Sequence, residues 1–98
     1  MGYFNFVWDE EKYDINLQKH NITFEEASTV FEDDDMIYKM DVKHSRNEVR
    51  YKIIGMSDNP RLLVVCHCIR NGNTIRIISA RKANKTEAQE YVWRQLNG

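Results

Sequence analysis

Two strand-like runs separated by three residues constrain the fold of this chain more than any other feature. Arg61–Arg70 reads RLLVVCHCIR, Asn71, Gly72 and Asn73 follow, and Thr74–Ala80 reads TIRIISA. Both runs are rich in β-branched residues, and Asn-Gly between such runs is the strongest short-range hairpin signal. Two more β-rich runs come before them, MIYKM (Met36–Met40) and EVRYKIIGM (Glu48–Met56). The joins are a polar loop, VKHSRN, and a turn, SDNP. Connections this short require antiparallel neighbours, so the four runs form a meander.

The rest of the chain reads as one further strand and three helices. Phe4, Phe6 and Trp8 alternate with Tyr3, Asn5 and Val7, the period of a strand. Asp9 suits a helix N-cap, Glu10 and Glu11 suit the first turn, and Asn21 can close that helix in the left-handed conformation. Its inward side is expected to carry Tyr13, Asn16, Leu17 and His20, with Ile15 beside them. Thr23 and Glu26 have the spacing of a capping box, which starts a short second helix with Phe24, Ala27, Val30 and Phe31 inward. The acidic run Glu32–Asp35 then reads as a solvated loop. Asn84 and Glu87 make a second capping box, with Ala88, Tyr91, Val92 and Leu96 on one side of the last helix. The order β-α-α-β-β-β-β-α predicts a single α+β domain over residues 1–98, with helices packed on one face of an antiparallel sheet.

At 98 residues the chain is long enough for one core and short for two. No apolar run approaches the roughly 20 residues of a membrane span, and the N-terminus lacks a secretory pattern. A cytoplasmic protein with no membrane contact is the expectation. Cys66 and Cys68 lie two apart on a strand, so both thiols share a face and His67 takes the other. A structural zinc site needs four ligands and no second pair exists, so packing thiols are expected rather than a metal.

The net charge of −1 hides an asymmetry. Residues 1–49 carry 12 acidic and 5 basic side chains, a balance of −7, while residues 50–98 carry 3 and 9, a balance of +6. Strict alternation in the third and fifth strands puts Arg50, Lys52 and Ile54 on one face, and Arg76, Ile78 and Ala80 likewise, opposite Ile75, Ile77 and Ser79. A face left open by the helices could carry Arg50, Lys52 and Arg76 in a shallow groove, with Arg70, Arg81, Lys82 and Lys85 at its rim. Ordinary alternation, with polar residues out into water, is the plainer account of the same pattern.

FVWDEEKYDINLQKHNITFEEASTVF near the start, and RLLVVCHCIR with TIRIISARKA near the end, resemble the signatures of the BrnT toxins from about Phe6 to Glu87. The resemblance implies a RelE-like fold and a type II toxin–antitoxin toxin. It further implies a metal-independent endoribonuclease that halts translation, a BrnA-type antitoxin as partner, and contact with operator DNA only through that antitoxin. The matched positions are Trp8, Asp9, Lys12, Asn16, Lys19, His20, Arg50, Arg76, Ser79 and Arg81. No cofactor and no metal are expected.

Metal-free cleavage of RNA needs a base for the 2′-hydroxyl, cations for the phosphorane-like charge, and an acid for the leaving oxygen. The family match and the shared cation face together nominate Arg50, Arg76 and Arg81 for phosphate, and Lys52, Arg70, Lys82 and Lys85 for RNA contact. Lys19, His20 and His67 are the proton-transfer candidates, although a core role for His67 and a capping role for His20 fit the pattern too. His44, in a polar loop, carries no assignment. Trp8 reads as core, and Trp93 as core or partner-facing. Two rivals stand beside the nuclease: a non-catalytic protein-interaction module, and a metal-dependent nuclease built on Asp33, Asp34 and Asp35.

Overall fold

The computed structural model describes residues 4–98, which leaves Tyr3 of the expected first strand outside the described residues. Five strands, β1 (Asn5–Val7), β2 (Ile37–Met40), β3 (Tyr51–Met56), β4 (Leu62–Ile69) and β5 (Thr74–Lys82), form one sheet in the order β1-β5-β4-β3-β2. The last four are the expected antiparallel meander. β1 joins the far side of β5 in parallel, pairing Phe6 with Ile75 and Val7 with Arg76. At the β4–β5 turn Gly72 has φ +59°, which a residue with a side chain rarely adopts. The Arg70 N–H donates to the Thr74 carbonyl at 2.8 Å and closes the hairpin.

The helices α1 (Glu10–His20) and α2 (Phe24–Ser28) lie on one face of the sheet, here the inner face, and a 3₁₀ turn (Thr29–Glu32) extends α2. Local chemistry sets their ends. Asp9 accepts the Lys12 N–H at 3.0 Å, and Asn21 closes α1 at φ 56°. Thr23 accepts the Glu26 N–H, yet Glu26 does not reach back to complete the box. Its carboxylate instead binds the Arg61 guanidinium through both oxygens and the Ser57 hydroxyl at 2.7 Å. The Arg61 hydrogen bonds hold the Glu26 carboxyl below its usual range despite partial burial. A tertiary ion pair thus takes the group that the local motif had spare.

Ile22, Phe24, Ala27 and Val30 from these helices bury against Ile53, Leu63, Val65, Ile75, Ile77 and Ala80 from the sheet. Trp8 packs on Tyr13 and Phe24, as expected of a core residue. Asn16 is the buried polar link. Its amide donates to the Ala80 carbonyl at 2.9 Å and to the Ile22 carbonyl at 3.1 Å, and its oxygen accepts the Ala80 N–H at 3.0 Å. Beyond this link α1 is lightly seated, and Ile15 and Leu17 stay exposed.

The third helix, α3 (Lys85–Asn97), departs from the expectation that all helices share one face. Tyr91 buries against Ile54 and Val64, which alternate with the inward Ile53, Leu63 and Val65, so α3 covers the outer face. Its capping box from Asn84 and Glu87 is complete. Only Tyr91 of the expected apolar side is buried, while Val92, Trp93 and Leu96 face solvent. Asp33 anchors this packing, accepting from the Tyr91 hydroxyl at 2.5 Å and the Met56 N–H at 2.7 Å. Burial pushes the Asp33 carboxyl up, but these bonds and the Asp35 N–H outweigh it and hold it low. Asp33 is therefore a structural acceptor rather than part of a solvated loop.

His67 is fully buried on the inner face, with rings of Phe31, Tyr38 and Tyr51 around it at 4.8, 5.7 and 6.0 Å. Its Nδ1 donates to the Val65 carbonyl at 3.3 Å, and Nε2 has no partner among the described residues. Burial lowers the imidazole to about 4. The unfolded chain binds this proton near 6.5, so stability is complete above that pH and falls as pH drops toward 4. The loss should approach about 3 kcal/mol at about 1.4 kcal/mol per pH unit. Urea denaturation across this window is expected to show it, and His67→Phe is expected to flatten that part of the profile. Asn16→Ala strands both polar groups of Ala80 and is expected to cost about 1–3 kcal/mol in the same measurement.

Candidate functional site

The pairing of β4 with β5 slips by one residue. Cys66 lies opposite Ser79 and His67 opposite Ile77, which leaves Ile78 as an extra residue on β5. Such a bulge breaks the two-residue period. Ile75, Ile77 and Ala80 therefore face inward, while Arg76, Ile78, Ser79 and Arg81 face outward. Strict alternation had placed Ser79 with Ile75 and Ile77, and Ala80 with the cations. The bulge brings Arg81 to the same face as Arg76, Arg50 and Lys52.

The outer face is covered by α3 at one end and by the 42–49 loop at the other. Between them lies an open cavity of about 220 Å³. Arg50 and Lys52 line it from the β3 side, Val64 and Cys66 from β4, and Ile78, Ser79 and Arg81 from β5. Asp41 and His44 complete the wall. His44 and Arg50 also border a second hollow of about 350 Å³ formed by the loop with Lys43, Arg46, Asn47 and Glu48.

The loop is tied at its base. The Asp41 N–H donates to the Arg50 carbonyl at 2.7 Å. The Ser45 hydroxyl donates to the Asp41 carbonyl at 2.6 Å and accepts the Arg50 N–H at 2.9 Å. A 3₁₀ turn, Val42–His44, carries the imidazole back over the knot, and His44 Nδ1 lies 2.9 Å from Asp41 Oδ2. Asp41 is buried, whereas the His44 side chain is 59% exposed.

The charges differ in how they are held. The Arg81 guanidinium grips both oxygens of Glu87 at 2.8 and 2.9 Å, which brings the Glu87 carboxyl down to about 2. Lys39, opposite Lys52 across β2 and β3, is paired with Glu90 at 2.8 Å. Among the described residues the side chains of Arg50, Lys52 and Arg76 have neither a hydrogen bond nor an ion pair. Burial pushes the Cys66 thiol up, and the nearby Asp41 carboxylate pushes it further, so it stays a thiol.

Of the residues nominated from sequence, Arg50, Lys52 and Arg81 meet at the cavity, and Arg76 lies on the same face opposite Cys68. Arg70 is paired with Glu48 at 3.4 Å. Lys82 lies opposite the inward Leu63, and Lys85 opens α3, both exposed. Lys19 and His20 end α1 on the inner side, away from the cavity. His67 is buried on the opposite face from it. Trp93 is 65% exposed rather than core. Asp41 and His44 carried no assignment, although Asp-x-x-His at a strand end was the available signal. Among the described residues no three His, Cys, Asp or Glu side chains gather to hold a metal ion, and no helix is long and apolar enough to cross a membrane.

A mixed sheet with helices on both faces and a basic hollow beside a carboxylate–imidazole pair defines a small α+β protein. The crystal structure of the Brucella abortus ribonuclease toxin BrnT shares the fold, with a TM-score of 0.62 at 21% sequence identity, over 85% of this chain and 100% of that one. The family profile of BrnT, the ribonuclease toxin of type II toxin–antitoxin systems, matches residues 8–87, and this chain belongs to that family. No curated protein sequence matches the chain.

The Arg81–Glu87 pair also closes the α3 cap, because the Glu87 carboxylate accepts the Asn84 N–H at 2.8 Å. Glu87→Ala removes both, and thermal denaturation is expected to show a loss of about 1–2 kcal/mol. Glu87→Gln, which keeps the cap, is expected to lose less.

Proposed function

We propose that this chain is a metal-independent endoribonuclease that stops translation and is neutralised by a BrnA-type antitoxin, with the outer-face cavity as its active site. One observation carries the reading. Arg50, Lys52 and Arg76 stand on one sheet face, none of their side chains in an ion pair among the described residues, in a chain whose net charge is −1. Lys39, Arg61, Arg70 and Arg81 are each paired with a carboxylate, whereas these three stay open on a face that a polyanion can reach. Guanidinium groups suit the task because their planar fork grips two phosphate oxygens and keeps its charge through the reaction. Arg50 and Arg76 are assigned to the scissile and neighbouring phosphates, and Lys52 to the charge that develops in the transition state. Arg81 is a second-rank ligand, since Glu87 already occupies its fork. Arg70 and Lys85 would guide RNA toward the face rather than touch the reacting phosphate, whereas Lys82, expected at the rim, shares the side of the inward Leu63 and is not placed to do so. Arg50→Lys should not substitute for the guanidinium, because an ammonium cannot make the paired contact.

Family membership brings an antitoxin partner with it. Identification of that partner as BrnA-type, and its hold on operator DNA, belong to the proposal.

The test is cleavage of RNA by the purified chain in excess EDTA. Activity is expected to survive chelation, and Arg50→Ala and Arg76→Ala are each expected to lower kcat/KM by at least tenfold with unchanged melting temperature. Loss of all activity in EDTA with recovery on adding magnesium would overturn metal independence. Absence of cleavage under every condition would return the chain to the interaction-module reading. In cells, induction should arrest growth, and co-expression of the antitoxin should restore it.

A further inference from the structure

Cations alone leave the 2′-hydroxyl without a base. Lysine and arginine hold their protons far above neutral pH, whereas an imidazole ordinarily titrates near it. Three histidines are present. His67 is sealed under the sheet and His20 ends a helix on the inner side, which leaves His44 at the mouth of the cavity.

We propose that His44 is the general base of this site and that Asp41 positions it, a reading that rests on the ribonuclease function proposed above. A carboxylate can only accept, so His44 Nδ1 carries the hydrogen it shares with Asp41 Oδ2. In the neutral ring Nε2 then holds the free lone pair. Asp41 is held by its buried backbone knot, and its charge supports the imidazolium that forms when the base takes a proton. The same knot fixes Arg50, so base and phosphate ligand are set by a single loop.

The chemistry balances as a transesterification. His44 Nε2 removes the proton from the 2′-hydroxyl, and the 2′-oxygen bonds to phosphorus. The bond from phosphorus to the 5′-oxygen breaks, and that oxygen takes a proton from water at the open mouth of the cavity. The products are a 2′,3′-cyclic phosphate and a 5′-hydroxyl. The imidazolium returns its proton to solvent.

The experiment compares the parent, His44→Ala, Asp41→Asn and Arg50→Ala on one RNA oligonucleotide in EDTA from pH 5 to 9. His44→Ala should lose 10²-fold or more in kcat/KM, the usual span for loss of a general base, with unchanged folding because the side chain is exposed. Free imidazole should restore part of that loss in His44→Ala and none of it in Arg50→Ala. Asp41→Asn should lose at least tenfold, with the loss in kcat and KM little changed, as expected of a residue that positions the base through the 2.9 Å contact rather than one that holds the RNA. An active parent with a His44→Ala variant of equal rate would sink this proposal and leave the ribonuclease standing. A wholly inactive parent would remove both.

Discussion

The extra residue in β5 decides what this protein presents to solvent. Without Ile78 looped out, the alternation set by Ile75 and Ile77 would carry Ser79 and Arg81 into the core face and put Ala80 outside. A guanidinium in that core would be desolvated without a partner, at a cost the small apolar cluster could not offset. The slip lets one strand bury Ile75, Ile77 and Ala80 and still line a polar hollow with Ile78, Ser79 and Arg81. Asn16 then seals the inner side by bonding both polar groups of Ala80, two residues past the bulge. Fold and site share one irregularity.

Electrostatics follow from that layout. The acidic N-terminal half does not cancel the basic C-terminal half evenly. Its carboxylates are drawn into structural tasks: Asp9 caps α1, Glu26 binds Arg61, and Asp33 anchors Tyr91 and Met56. The helix α3 brings Glu87 and Glu90 over the outer face, where they take Arg81 and Lys39. What remains near the hollow is a small set of cations and one buried carboxylate, Asp41, which is bonded to an imidazole. Net charge therefore says little here, since the field at the cavity depends on which pairs have already formed.

The local parts of this arrangement were legible in the residues. Asp9, Thr23 and Asn84 cap their helices, Asn21 takes the left-handed turn, and Gly72 the hairpin, because each depends on groups within about four residues. The element order was legible for the same reason. Arg50 and Lys52 share their face because β3 has no bulge and alternation holds. The parallel docking of β1 on β5 was not legible, since no turn length encodes a pairing between strands so distant in the chain. Nor was the side chosen by α3, whose apolar pattern fits either face.

The histidines show the division most plainly. By sequence alone, His67 on a strand opposed its neighbouring cysteines, and this followed from the two-residue period. Only the tertiary structure decided that its side was the closed one, because that depends on where α1 and α2 pack. His44 in its polar loop had no period to read. Its place beside Asp41, over Arg50, comes from a backbone knot between residues that only the β2–β3 pairing brings together. Sequence determined the elements through short-range bonds and side-chain period, and the tertiary structure decided which faces were covered, because coverage is a competition among distant segments for the same apolar surface.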